Sequence, residues 1–74
     1  MAQRITEEEK NRPVSRVEMW KLMPEVARNT IYRRYNRILK KVGKQVNRHV
    51  KLTVAEVATH TGLSILFILS VLTK

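Results

Sequence analysis

Residues 30–51 read TIYRRYNRILKKVGKQVNRHVK. On a wheel turning about 100° per residue, Ile31, Tyr35, Ile38, Leu39, Val42, Val46 and Val50 fall within an arc of about 120°. A stripe of that width belongs to a helix lying on a core. Arg33, Arg34, Arg37, Lys40, Lys41, Lys44, Arg48 and Lys51 occupy an arc of about 120° on the opposite side. Eight of the chain's fifteen basic residues thus share one face. No acidic residue occurs from 30 to 51, so no i,i+4 pair inside the segment neutralises that face. Gly43 lies near the edge of the stripe and costs about 1 kcal/mol relative to alanine, a weakening rather than a stop. The pattern predicts one long basic amphipathic helix over 30–51.

Upstream, Ser15-Arg16-Val17-Glu18 has capping-box spacing, in which the serine oxygen takes a backbone N–H and the glutamate reaches back. A short helix is expected from Ser15, carrying Val17, Trp20 and Met23, with Pro24 at the corner and in the first turn of the next helix. Residues 1–14 are polar and end in Asn11-Arg12-Pro13, which disfavours helix. They read as a flexible arm, and 15–74 as a single helical domain. Downstream, Thr53-Val54-Ala55-Glu56 is a second capping box, and Thr61-Gly62-Leu63-Ser64 supplies a turn glycine followed by a fresh cap. The expected fold is therefore all-α: a small bundle of about four helices ending in a helical hairpin.

The string TVAEVATHTGLS, residues 53–64, resembles the first helix and turn of the helix-turn-helix module of bacterial and phage regulators. Ala58 stands at the small position, Gly62 at the turn, and Ile65, Ile68 and Val71 at the buried positions of the second helix. The resemblance spans 54–72 and implies the hairpin fold. It also implies that the second helix reads bases, but there the sequence departs. Leu66, Phe67 and Leu69 occupy the face that in the family carries Arg, Lys, Asn, Gln, Ser or Thr. Those three residues are expected to be covered by the long helix, by a dimer partner or by a larger assembly. The helix lengths expected over 15–23, 24–51 and 53–61 are also similar to those of the histone fold.

The chain has 74 residues, a formal net charge of +9, six glutamates, no aspartate and no cysteine. A domain of this size buries only about 60% of its unfolded surface, which leaves little for an enzymatic cleft. The six glutamates lie in separate elements or in the polar arm, leaving no paired-carboxylate site, and there is no glycine-rich phosphate loop, so no enzyme and no cofactor are expected. A zinc site would need His49 and His60 to converge; His49 reads as a core-edge residue and His60 as a polar residue near a helix end. Trp20 and Phe67 are expected to pack in the core or an interface, and Tyr32, at the rim of the stripe, is the one aromatic placed to stack on a base. The apolar run LSILFILSVL, 63–72, is half the ~20 residues of a membrane span, and no targeting segment is read at the amino terminus. A cytoplasmic, nucleoid- or particle-associated location follows.

The basic balance favours an anionic partner, nucleic acid or an acidic membrane surface, and the stripe disfavours the membrane, being rich in β-branched residues, containing His49 and lacking Trp20. The expected function is non-enzymatic binding of duplex DNA or RNA, with Arg33, Arg34, Arg37, Lys40, Lys41, Lys44, Arg48 and Lys51 on phosphates. The alternative is a structural subunit of a virion, ribonucleoprotein or other large assembly, or a homodimer, docking through Leu66, Phe67 and Leu69.

Overall fold

Short polar side chains set where most helices of this chain start. In a computed structural model describing residues 5–73, Thr6, Ser15 and Thr53 each accept the backbone N–H three residues on, while Glu9, Glu18 and Glu56 reach back to the cap N–H. These boxes open α1 (Glu7–Lys10), α2 (Arg16–Leu22) and α4 (Val54–Thr61). Ser64 caps α5 (Ile65–Leu72) through the Phe67 N–H at 3.1 Å. The longest helix, α3 (Arg28–Lys41), starts after Ala27 without a side-chain cap. It follows a turn over 23–26 closed by the Val26 N–H on the Met23 carbonyl at 3.0 Å. Pro24 takes the second position of that turn, where its fixed φ is favoured, and not the first turn of α3.

The chain is mostly helical, and the departure from all-α is a two-stranded antiparallel sheet. Strand β1 (Pro13–Val14) pairs with β2 (Leu52–Thr53), Pro13 opposite Thr53 and Val14 opposite Leu52. Ribbons this short do not stand alone in water. This one is held by Tyr35 of α3, whose hydroxyl donates to the Val14 carbonyl and accepts the Leu52 N–H at 2.8 Å. Val14, Leu52 and Tyr35 are all fully buried. The expected arm is thus corrected over much of its length: α1 and β1 lie within it, and Ile5 packs against the core. Residues 1–4 fall outside the described residues.

The core gathers Met19 and Leu22 of α2, Ile31, Tyr35, Ile38 and Leu39 of α3, Val54 and Val57 of α4, and Ile68 and Leu69 of α5 around the two strands. On α2 the inward side is Met19 and Leu22; Val17, about 200° from Met19 on the wheel, is exposed rather than inward, and Trp20 and Met23 are half-buried. The first half of the α3 stripe is buried as expected.

The helix expected over 30–51 does not continue past Lys41. Gly43 adopts a left-handed φ of 79°. Its N–H donates to the Lys40 carbonyl at 3.1 Å, and the Lys44 N–H donates to the Leu39 carbonyl at 2.9 Å. This pair of bonds is a Schellman termination, which satisfies carbonyls that a continuing helix would have used. Beyond it the chain turns back towards β2. Asn47 Oδ1 accepts the N–H of His49 at 2.9 Å and of Val50 at 3.1 Å, fixing the reversal. Val46, counted in the stripe, is 41% exposed, and His49 is exposed rather than at a core edge. The similarity to histone helix lengths lapses with the long helix.

Candidate nucleic-acid interface

Burying Ile31, Tyr35, Ile38 and Leu39 turns the other side of α3 to solvent by helical geometry alone. Arg33, Arg34, Arg37, Lys40 and Lys41 are all exposed along it. The helix has 14 residues and so runs about 21 Å. Among the described residues, no carboxylate pairs with any of these five cations. Nothing acidic lies on α3 itself.

The remaining three residues of the expected face are placed elsewhere by the Gly43 turn. Lys44 is half-buried, with Nζ 2.7 Å from Glu56 Oε1 and 3.1 Å from the Lys51 carbonyl. It is a tie between the loop and α4, not a free phosphate contact. Burial pushes the Glu56 carboxyl up, but its bonds from Lys44 and Thr53 outweigh this and hold it below the usual carboxylate range. Arg48 and Lys51 are exposed but line a shallow groove of about 250 Å³ beside Arg16 and Tyr32. Arg34, Arg37 and Lys41 face the opposite flank, where with His60 they border a cleft of about 260 Å³ floored by Met19, Met23 and Ile38. One expected stripe of eight is therefore an α3 face of five with a detached pair of cations on the Tyr32 side.

Several polar side chains on or near α3 are already engaged. Arg16 donates to Asn36 Oδ1 from Nε at 3.2 Å and from Nη2 at 2.7 Å, and its guanidinium lies 4.8 Å from the Tyr35 ring centre. Arg28 stacks over Trp20 at 4.7 Å, and the Trp20 indole donates to the Val26 carbonyl at 3.1 Å. Asn29, exposed one position further along, has no such partner among the described residues. On the wheel it lies about 20° outside the arc of the Lys and Arg residues, beside Lys40. Tyr35 belongs to the core; burial pushes its phenol up, opposed by the Leu52 N–H bond.

The carboxy-terminal hairpin has the expected joints: Gly62 ends α4 with φ 78°, and its N–H donates to the Ala58 carbonyl at 3.0 Å. The three apolar residues singled out on α5 are split. Leu69, 8% exposed, is interior to this chain, whereas Leu66 at 46% and Phe67 at 44% stand on the surface. Of the covers expected for these three residues, this chain itself supplies one for Leu69 and none for Leu66 and Phe67. Because α5 is apolar on nearly every side, its sequence carries no directional signal. Arg12 Nη2 donates to the Leu72 carbonyl at 3.2 Å and anchors the end of α5 to the amino-terminal segment.

Among the described residues, no group of three or more metal-ligating side chains converges, and no helix is long and apolar enough to cross a membrane. Searches against protein-family models, curated proteins and solved structures found no match to this chain.

Proposed function

We propose that this chain is a non-enzymatic nucleic-acid-binding protein that contacts the phosphates of a duplex through α3. The observation that carries the proposal is the set of five exposed, unpaired cations on one helix whose other side is locked in the core. Like charges at i,i+3 and i,i+4 repel in water, and a polyanion relieves that repulsion as counterions leave. The partner class is duplex DNA or RNA. Arg48 and Lys51 sit to one side, where they reach a neighbouring phosphate only if the duplex extends past Tyr32. In this reading the hairpin at 54–72, which resembles a helix-turn-helix, supports α3 by packing and does not itself read bases, since Leu66 and Phe67 face outward.

A double variant tests the proposal. Arg37→Ala with Lys40→Ala removes two exposed cations and leaves the buried stripe untouched. A slope of about 0.9 per phosphate corresponds to about 8-fold in affinity per contact at 0.1 M salt, so the pair should cost about 60-fold. Affinity within about 3-fold of the parent, with helicity unchanged, refutes a phosphate-binding role for α3.

A second reading, a subunit of a larger assembly, is favoured by one observation, the exposed pair Leu66 and Phe67. Analytical ultracentrifugation of the parent and a Leu66→Ser, Phe67→Ser variant separates the two. Loss of self-association in the variant supports the subunit reading, and a monomer in both removes its self-assembling form.

A further inference from the structure

This fold contains two helical pairs joined by short turns, α2 with α3 and α4 with α5. They differ in what the second helix shows to solvent. On α5 the outward residues include Leu66 and Phe67. On α3 they include Asn29, Arg33, Arg37 and Lys40. We infer that α2 and α3 are the base-reading pair: α3 enters the major groove of duplex DNA, where Asn29 and Arg33 read base edges. This inference rests on the phosphate-binding role of α3 proposed above and adds sequence readout to it.

Packing supports the assignment first. Helix α2 packs more extensively on α3 than any other pair of elements in the fold packs together, and 23–27 joins them as a short corner. A helix so backed presents a rigid outer face. The major groove, about 12 Å wide and 8.5 Å deep, admits one α-helix. The ~21 Å of α3 spans about six base-pair steps if it lies along the groove.

Elimination then selects the readers. Arg28 is stacked on Trp20, and Asn36 is held by Arg16, so both are committed within the fold. Arg34 and Lys41 lean to the His60 flank, which suits a groove wall and its phosphates, while Arg37 borders both that cleft and the groove shared with Arg33, Asn36 and Lys40. Asn29, Arg33, Arg37 and Lys40 remain on the outer face, and of these Asn29 and Arg33, four residues apart, lie in the first half of α3, the end from which a groove-bound helix contacts base edges. Asparagine pairs in bidentate fashion with adenine N6 and N7, and arginine with guanine O6 and N7. Their separation of about 6 Å along the helix axis corresponds to about two base-pair steps of 3.4 Å. The preferred site thus contains a guanine and an adenine within about two steps of each other, each discriminated by about 5- to 150-fold. The narrow major groove of an RNA duplex excludes α3, so readout is confined to DNA.

Selection from a randomised DNA duplex pool, repeated with Asn29→Ala, Arg33→Ala and Lys40→Ala, tests the inference. All three residues are exposed, and circular dichroism verifies that helicity is kept. The parent is expected to enrich a short motif. Arg33→Ala should relax it at guanine, Asn29→Ala at adenine, and Lys40→Ala should weaken binding to all sequences without changing the motif. Salt-dependent binding with no motif overturns readout and leaves phosphate binding standing. A motif that Leu66→Ser alters and Arg33→Ala does not would move readout to α5 and overturn this inference. The same preference in duplex RNA also overturns it, and absence of any duplex binding removes both proposals together.

Discussion

Replacing Tyr35 with phenylalanine tests how α3 is fixed to the rest of the molecule. The substitution keeps the ring in its fully buried place and deletes only the hydroxyl. That hydroxyl is shared by the Val14 carbonyl and the Leu52 N–H, and both residues are fully buried. Leaving a buried polar group unpaired costs about 1–3 kcal/mol, so two groups that can partly relax towards each other lose about 2–4 kcal/mol. A domain of this size has about 4–11 kcal/mol in all. The melting temperature should therefore fall by about 10–25 °C, read by circular dichroism at 222 nm. The pH dependence supplies an independent check. Burial raises the phenol's folded value above its unfolded one. Its contribution is therefore complete below the unfolded value, about 10, and lost as pH rises through the folded value. Tyr35→Phe should lack that share of the alkaline loss. A drop in stability below about 0.5 kcal/mol, with the alkaline limb unchanged, refutes the claim that this hydroxyl ties the strands to α3.

Gly43→Ala should cost about 1–2 kcal/mol by urea denaturation, because a left-handed φ of 79° strains an L-residue although no atom lies within 4 Å of the added methyl. Glu56→Gln keeps a side chain able to complete the Thr53 capping box but removes the charge beside Lys44, so about 1 kcal/mol should be lost at neutral pH. Since the folded Glu56 value is depressed, its contribution is present above the unfolded value and lost as pH falls through the folded one, and the variant's acid unfolding should be correspondingly shallower. Leu69→Ser should destabilise by about 2–5 kcal/mol or prevent folding, while Leu66→Ser should stay within about 0.5 kcal/mol, as monitored by thermal melts.

Local signals in the sequence translated into structure where the interactions themselves are local. The boxes at Ser15 and Thr53 and the turn at Gly62 lie where their spacing puts them, because each bond joins residues no more than four apart. The inward stripe from Ile31 to Leu39 was legible for the same reason. The false extension to Lys51 arose because Val46 and Val50 continue the helical period by coincidence, while Gly43 is compatible with both a weak helix interior and a left-handed end. Only the contacts of the following loop decide between them. The sheet was invisible, since Pro13–Val14 and Leu52–Thr53 are too short for any alternation and depend on Tyr35 from a third element. Lys44 falls in the basic arc by its position, but its partner Glu56 is twelve positions away in another helix, where no helical spacing registers it. On α5 the run is apolar all round and carries nothing that separates Leu66 from Leu69, and Asn29 is uncharged and lies just outside the basic arc.

The claim that α3 is a phosphate-binding surface is tested most directly by the salt dependence of duplex binding. A fluorescently labelled DNA duplex of ~20 base pairs, titrated with the chain at a series of salt concentrations, gives the slope of log K against log salt. Five contacts, from Arg33, Arg34, Arg37, Lys40 and Lys41, set the expected slope near about −4.5, from about −0.9 per phosphate. A slope shallower than about −2, or no binding at low salt, would contradict the claim.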